Sequence, residues 1–211
     1  MTLPNPGPAN LAFANPASPE RLARTAKALT ARGFTVVVAD DAAHAQRIVL
    51  DAIPVGAEVH RALSETLAEV GLAHEIDESG RYDSIRKKLH SMDRATQGRE
   101  MRKLGATPDY VIGSAHAITD DGILLVGSGS GSQLGAYAYG AGKVFLVVGH
   151  QKLVADLEEG RRRLIEYCLP REFARMQSIG HAGTVLAKTL TLEHDFGGRV
   201  TVVLVRAVLG F

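Results

Sequence analysis

Three short apolar runs stand out along the chain: Tyr110–Ile112, Ile123–Val126 and Val144–Val148. Each lacks the polar alternation of a half-exposed strand and is bounded by turn residues, the pattern of strands buried on both faces. Upstream, Ser18-Pro19-Glu20 supplies an N-cap, a proline at the first helical position and an early acid, so a helix is predicted to about Arg32, stopping at Gly33. Phe34–Ala39 then reads as a strand, Asp41 caps a second helix to about Ala52, and Pro54-Val55-Gly56 turns the chain into a short strand near Glu58–His60. This β-α-β order predicts an α/β fold with a mostly parallel sheet covered by helices.

Further along, a helix is expected from the neighbourhood of Ser64 to Gly71, one to about His90 and another from Ser91 or Asp93. The charged stretches Glu75–Arg81 and Ser84–Lys103 read as solvated faces. The link from Gly113 to Gly122 is too short for a helical crossover, so a hairpin turning at Asp120-Asp121-Gly122 is expected, which admits a mixed sheet. An amphipathic helix follows over Leu153–Tyr167, a short helix over Pro170–Met176, a strand-like segment over Val185–Leu192 and a closing strand over Arg199–Val205. Residues 1–17, with four prolines and three asparagines, read as an arm that is disordered or packed on a neighbouring subunit, which leaves a homo-oligomer open; residues 18–211 read as one domain.

Composition narrows the function. Hydrophobic residues make up 45% of the 211, enough for a sizeable core, while a net charge of +1 gives no steering toward nucleic acid or anionic membranes. No apolar run is long enough to insert in a membrane and no signal pattern opens the chain, so a cytoplasmic setting is expected. The one cysteine, Cys168, cannot form an intrachain disulfide or a Cys-ligated cluster within this chain. The eight histidines form no metal-ligand spacing, so no metal is expected.

The candidate chemistry lies where the buried strands end. Each closes on a glycine followed by a polar residue, Gly113-Ser114, Gly127-Ser128 and Gly149-His150, and ligands of parallel α/β sheets sit outside such carboxyl ends. The loop Gly127-Ser128-Gly129-Ser130-Gly131-Ser132-Gln133 could run extended, with its hydroxyls on one face, or curl into a nest of N–H groups beside a helix opening near Leu134. Either form suits a small anion. It matches neither nucleotide-binding glycine fingerprint, and a flexible linker is the alternative. Ser64 fits an N-cap or an anion contact equally. His116 and His150 each follow a strand end and could hold an anion or move a proton, although simple loop hydrogen bonds explain either; His116 is the weak catalytic candidate. Lys152 could lend a cation at the rim. Ser114, His116 and Asp121 make a triad on paper only, without a nucleophile elbow around the serine.

The runs GSAHAITDDG (113–122), GSGSGSQLGAYAYGAGKVFLVVGHQK (127–152), EYCLPRE (166–172) and VVLVRAVLGF (202–211) resemble the lactate-utilisation (LUD) domain family, as do SETLAEVGL (64–72) and MDRATQGREMRKLGATPDY (92–110). The resemblance covers roughly residues 20–211. It implies a Rossmann-like sheet similar to those of ribose-5-phosphate isomerase and CoA transferases. It also implies a non-redox subunit or accessory factor that works with iron–sulfur subunits in oxidising L-lactate to pyruvate, or a small-molecule binder. With Cys168 alone, no resident cluster or other cofactor is expected. The isomerase acids and loop lysine have no counterparts in Gly113-Ser114-Ala115-His116, Val126-Gly127-Ser128-Gly129 or Gly140-Ala141-Gly142-Lys143, and the CoA-transferase glutamate has none either. The expected pocket for a small anionic ligand is lined by Ser64, Thr66, Ser114, His116 and the loop Gly127–Gln133, with Lys152 at its rim. A free-standing enzyme on phosphosugars or acyl-CoA thioesters, and an assembly protein with a vestigial pocket, remain the alternatives.

Overall fold

The computed structural model describes residues 3–211; Met1 and Thr2, the first two residues of the expected arm, lie outside the described residues. Ser18 caps helix α1 (Pro19–Ala31) by accepting from the Arg21 N–H, and Asp41 caps α2 (Ala42–Ala52) through His44, with strand β1 (Thr35–Ala39) between them. Strand β2 (Glu58–Arg61) leads through the Ser64 cap into α3 (Glu65–Glu69). Gly71, at φ +80°, ends that helix as expected, but the chain turns at once into α4 (Leu72–Glu78). Strand β3 (Asp83–Ser84), α5 (Ile85–Ser91) and α6 (Arg94–Ala106, capped by Asp93) precede β4 (Tyr110–Gly113).

Five parallel pairings join β1, β2, β3 and β4 to β7 (Lys143–Gly149) and β10 (Val200–Val205) in one six-stranded sheet, ordered β1-β10-β7-β4-β2-β3. The mixed pairing anticipated from the short 113–122 link is segregated into a second, four-stranded sheet. There β5 (Ala117–Thr119) and β6 (Leu124–Ser128) form the expected hairpin, flanked by β8 (Leu153–Val154) and β9 (Lys188–Leu192). Of the three apolar runs, Ile123–Val126 therefore leaves the main sheet. Leu153-Val154 likewise departs from its expected helical state: it pairs with Ile118 and Thr119, and the helix starts later, as α7 (Leu157–Arg163). A π-helical segment, Leu164–Cys168, joins α7 to α8 (Leu169–Ser178).

Burial explains the layers. One face of the parallel sheet (Val59, Ile112, Val147, Val203) packs on α2, α3 and α4 through Val49, Leu67 and Ile76. Its other face (Val111, Leu146, Val202) meets Leu22 and Leu29 of α1 and the inner face of the second sheet, Ile118, Leu124 and Val126. That sheet's outer face packs under Leu164, Tyr167 and Cys168, where Phe13 of the proline-rich segment also lies and Asn10 bonds Glu166. Each fully buried valine or leucine in these layers contributes about 1.5–3 kcal/mol relative to exposure. The carboxyl ends of β2 and β4 are thus held rigidly beside the end of β6, and the cleft forms between them.

Candidate functional site

A cleft of about 390 Å³ opens where these strands end. Its lining includes Ser64, Ser114, His116, Gly127, Ser128, Gly129, Ser130, Ser132 and Gln133, so most of the residues expected from sequence converge on it. Ser64 still caps α3, accepting from the Leu67 N–H at 3.4 Å. The glycine–serine loop is curled rather than extended. Ser128 Oγ donates to Gln133 Oε1 (3.1 Å) and accepts from the Gly131 N–H (2.8 Å), while Ser130 and Ser132 pair through their hydroxyls at 3.1 Å. The chain then enters a helical turn at Leu134, continued by the π-helical segment Ala136–Gly140.

Four expected positions fall elsewhere. Gly131 lies behind the loop, against the Lys188 side chain. His150 does not line the cleft. Thr66 and Lys152 sit beneath its floor: Lys152 is 1% exposed, and its Nζ donates to Thr66 Oγ1 at 2.8 Å and Ser114 Oγ at 3.1 Å. The rim position expected for Lys152 fails because His150–Lys152 is a tight 3-10 turn joining β7 to β8, so both flanks are buried strand and the side chain runs inward under the floor. Burial, reinforced by the Arg163 cation, depresses the Lys152 ammonium to about 7. Asp121 is occupied by Arg32 and Thr119 at the hairpin turn, so the paper triad does not assemble.

His116 lines the cleft with its Nδ1 accepting the Gly127 N–H at 3.2 Å. Enclosure by the fold, then the nearby Lys152 and Arg163 cations, holds its imidazole down to about 3, so the ring is neutral and its proton sits on Nε2. Arg163 is fully buried below it, donating to the His116 carbonyl and to Cys168 Sγ (3.0 Å), with the Tyr167 ring 5.0 Å away.

Sequence reasoning missed the arginines. Arg61, Arg86 and Arg175 all line the cleft. Arg61 pairs with Asp77, and Arg175 makes a bidentate pair with Glu172 (2.7 Å for both bonds) and a longer contact with Glu65. Arg86 has no carboxylate partner among the described residues; burial, and then the nearby Arg61, lowers its guanidinium, with Asp77 opposing. The same field and burial hold His60 down to about 4, burial being the larger cause. The signal was available in part for Arg61, which ends β2; Arg86 lies two residues past β3, a strand the sequence pattern did not reveal.

A family model described as LUD domain matches residues 22–205. The chain belongs to the LUD domain family, which is associated with lactate utilisation. The crystal structure of a DUF162 family protein from Deinococcus radiodurans is similar to this LUD domain in fold. Its TM-score is 0.52 at 14% identity, over 90% of this chain and 99% of that one. Among curated proteins no relative matches. No helix of the described part of the LUD domain is long and apolar enough to cross a membrane.

Proposed function

We propose that this LUD domain acts in lactate utilisation as a non-redox subunit or accessory factor in the oxidation of L-lactate to pyruvate, binding a small anion in the cleft and working beside iron–sulfur subunits in the cytoplasm. Family membership supports the metabolic context. The observation that carries anion binding is Arg86: a partly buried guanidinium without a carboxylate partner among the described residues, facing the same cleft as the Ser128 and Ser130 hydroxyls. An uncompensated cation in a half-desolvated cleft gains most from a carboxylate or phosphate, and the arginine fork suits either.

Isothermal titration with L-lactate, pyruvate, inorganic phosphate and ribose 5-phosphate tests this. At least one is expected to bind the wild type. Arg86→Gln should weaken it by roughly tenfold to a hundredfold, the worth of a charge-assisted hydrogen bond. Ser128→Val with Ser130→Val, which removes the bonds holding the loop curled as well as the two hydroxyls at the cleft, should weaken it by several-fold. Arg86→Gln should not lower the unfolding temperature appreciably; the double variant, which gives up the Ser128 bonds to Gln133 and the Gly131 N–H, should lower it by a few degrees without unfolding the chain. Absence of heat with all four anions, or unchanged affinity in both variants, would overturn the reading.

A further inference from the structure

We infer that Ser114 and Lys152 form a nucleophile–base pair at the cleft floor, with which the domain transfers or hydrolyses the acyl group of an anionic ester or thioester. Ser114 follows β4 and lines the cleft, while Lys152 lies directly behind it, with Nζ 3.1 Å from Oγ. The second contact of Nζ is Thr66 Oγ1 at 2.8 Å, and that hydroxyl donates onward to the Leu209 carbonyl at 3.2 Å. The amine is therefore fixed in place and meets the cleft through the serine hydroxyl. A lysine meant to anchor an anion would have to touch it from the open side; this one lies beneath the floor and adjoins the cleft only at Ser114 Oγ, where the reacting acyl group would stand, and Arg86 is the cation on the ligand side.

The surroundings suit a base. The groups facing Nζ are Arg163 of α7, Cys168 of the π-helical segment, Glu69 of α3 and His116 after β4. Burial and Arg163 disfavour the ammonium, Cys168 and Glu69 oppose them weakly, and the balance near 7 leaves much of the amine neutral at neutral pH. His116 stands two residues beyond the nucleophile. With Nδ1 taken by the Gly127 N–H, its Nε2–H has no protein partner among the described residues, and it is available to a carbonyl oxygen as negative charge develops there.

The steps balance. With the amine neutral, the Ser114 hydroxyl turns from the Ala115 carbonyl to donate to Nζ; Oγ then bonds to the carbonyl carbon and its proton passes to Nζ. The tetrahedral adduct collapses, the C–S or C–O bond breaks, and the leaving thiolate or alkoxide takes the proton from Nζ. Water, deprotonated by Nζ, then attacks the acyl-serine; a carboxylic acid is released, and Nζ returns its proton to Ser114 Oγ. The anionic handle of the substrate rests on the proposed anion site, whereas the nucleophile and base do not.

An alkyl fluorophosphonate, which carries no anionic handle, therefore tests the pair separately from anion binding. Attack by Ser114 forms an O–P bond and expels fluoride. Peptide mass spectrometry should find the adduct on Ser114 in the wild type and none in Ser114→Ala. The labelling rate should climb with pH through a midpoint near 7. It should fall about a hundredfold or more in a folded Lys152→Met variant, the size of a lost general base. A wild type that stays unlabelled beside a reactive serine hydrolase, labelling at another residue, or a rate indifferent to Lys152 would each overturn the pair. Labelled Ser114 with silent anion calorimetry would instead sink the anion site alone.

Discussion

Gly113→Ala is expected to cost about 3 kcal/mol or more, the upper end of overpacking effects. A methyl at this position would fall 1.5 Å from the Tyr137 Oη and 2.6 Å from Cζ. Neither side can give way. Gly113 closes β4 in the interior of the parallel sheet, in register with Leu146 of β7. Tyr137 is 1% exposed, and the segment carrying it is pinned by Arg199, which donates to the Tyr137 carbonyl at 2.7 Å. The close approach has a use: the buried phenol abuts the strand end at Gly113, so the ring backs the residue that precedes the cleft-lining serine. Urea denaturation should show the lower midpoint, and a thermal scan a drop of about 6–12 °C for a domain of this size. A variant within a degree of wild type would mean that the strand end is not held as described.

Lys152→Met should have the opposite effect, raising stability by about 1–4 kcal/mol at and below neutral pH. The buried ammonium has no carboxylate within ion-pair distance among the described residues, and a methionine of similar length fills its channel. The two hydroxyls it contacts are not orphaned, because Thr66 still donates to the Leu209 carbonyl and Ser114 to that of Ala115. The pH dependence fixes the cause. The unfolded lysine titrates near 10.5 and the folded one near 7. Between those values the unfolded chain binds one more proton, so wild-type stability rises with pH by up to about 1.4 kcal/mol per unit. Above 10.5 no difference remains; below 7 the cost is constant. Guanidinium unfolding at pH 6, 8 and 10 should show the variant's advantage shrinking as pH rises. A constant difference would contradict the burial of this charge.

Local signals came through the sequence well. Ser18 and Asp41 cap the helices they were expected to start, Ser64 takes the cap it was placed at or near, and of the two starts left open, Ser91 or Asp93, Asp93 is the cap, because a cap depends on residues three or fewer positions away. Pairing partners were less legible. Leu153 and Val154 fit the apolar face of the following helix, and nothing local reveals that Ile118 and Thr119 claim them for a strand. Lys152 was misjudged for a related reason: polar residues wedged between two apolar runs can be surface turn or sealed interior, and the crossing from one sheet to another decides for the interior. The convergence of Ser64, Ser114, His116 and the glycine–serine loop followed from the rule that parallel strands gather ligands at their carboxyl ends. Arg86 and Arg175 lay in charge-rich helices whose solvated faces offered no way to single them out. Their selection is a tertiary fact.

The proposed anion site lies in this cleft, between Arg86 and the curled loop. A nitrogen-15 NMR titration of the wild-type chain with phosphate and L-lactate tests it residue by residue. Saturable shifts are expected at Ser64, Ser114, His116, the 127–133 amides and the Arg86 side chain, and nowhere else. Shifts that never saturate, or that gather on the exposed basic surface of α6 while the 127–133 amides stay still, would contradict it.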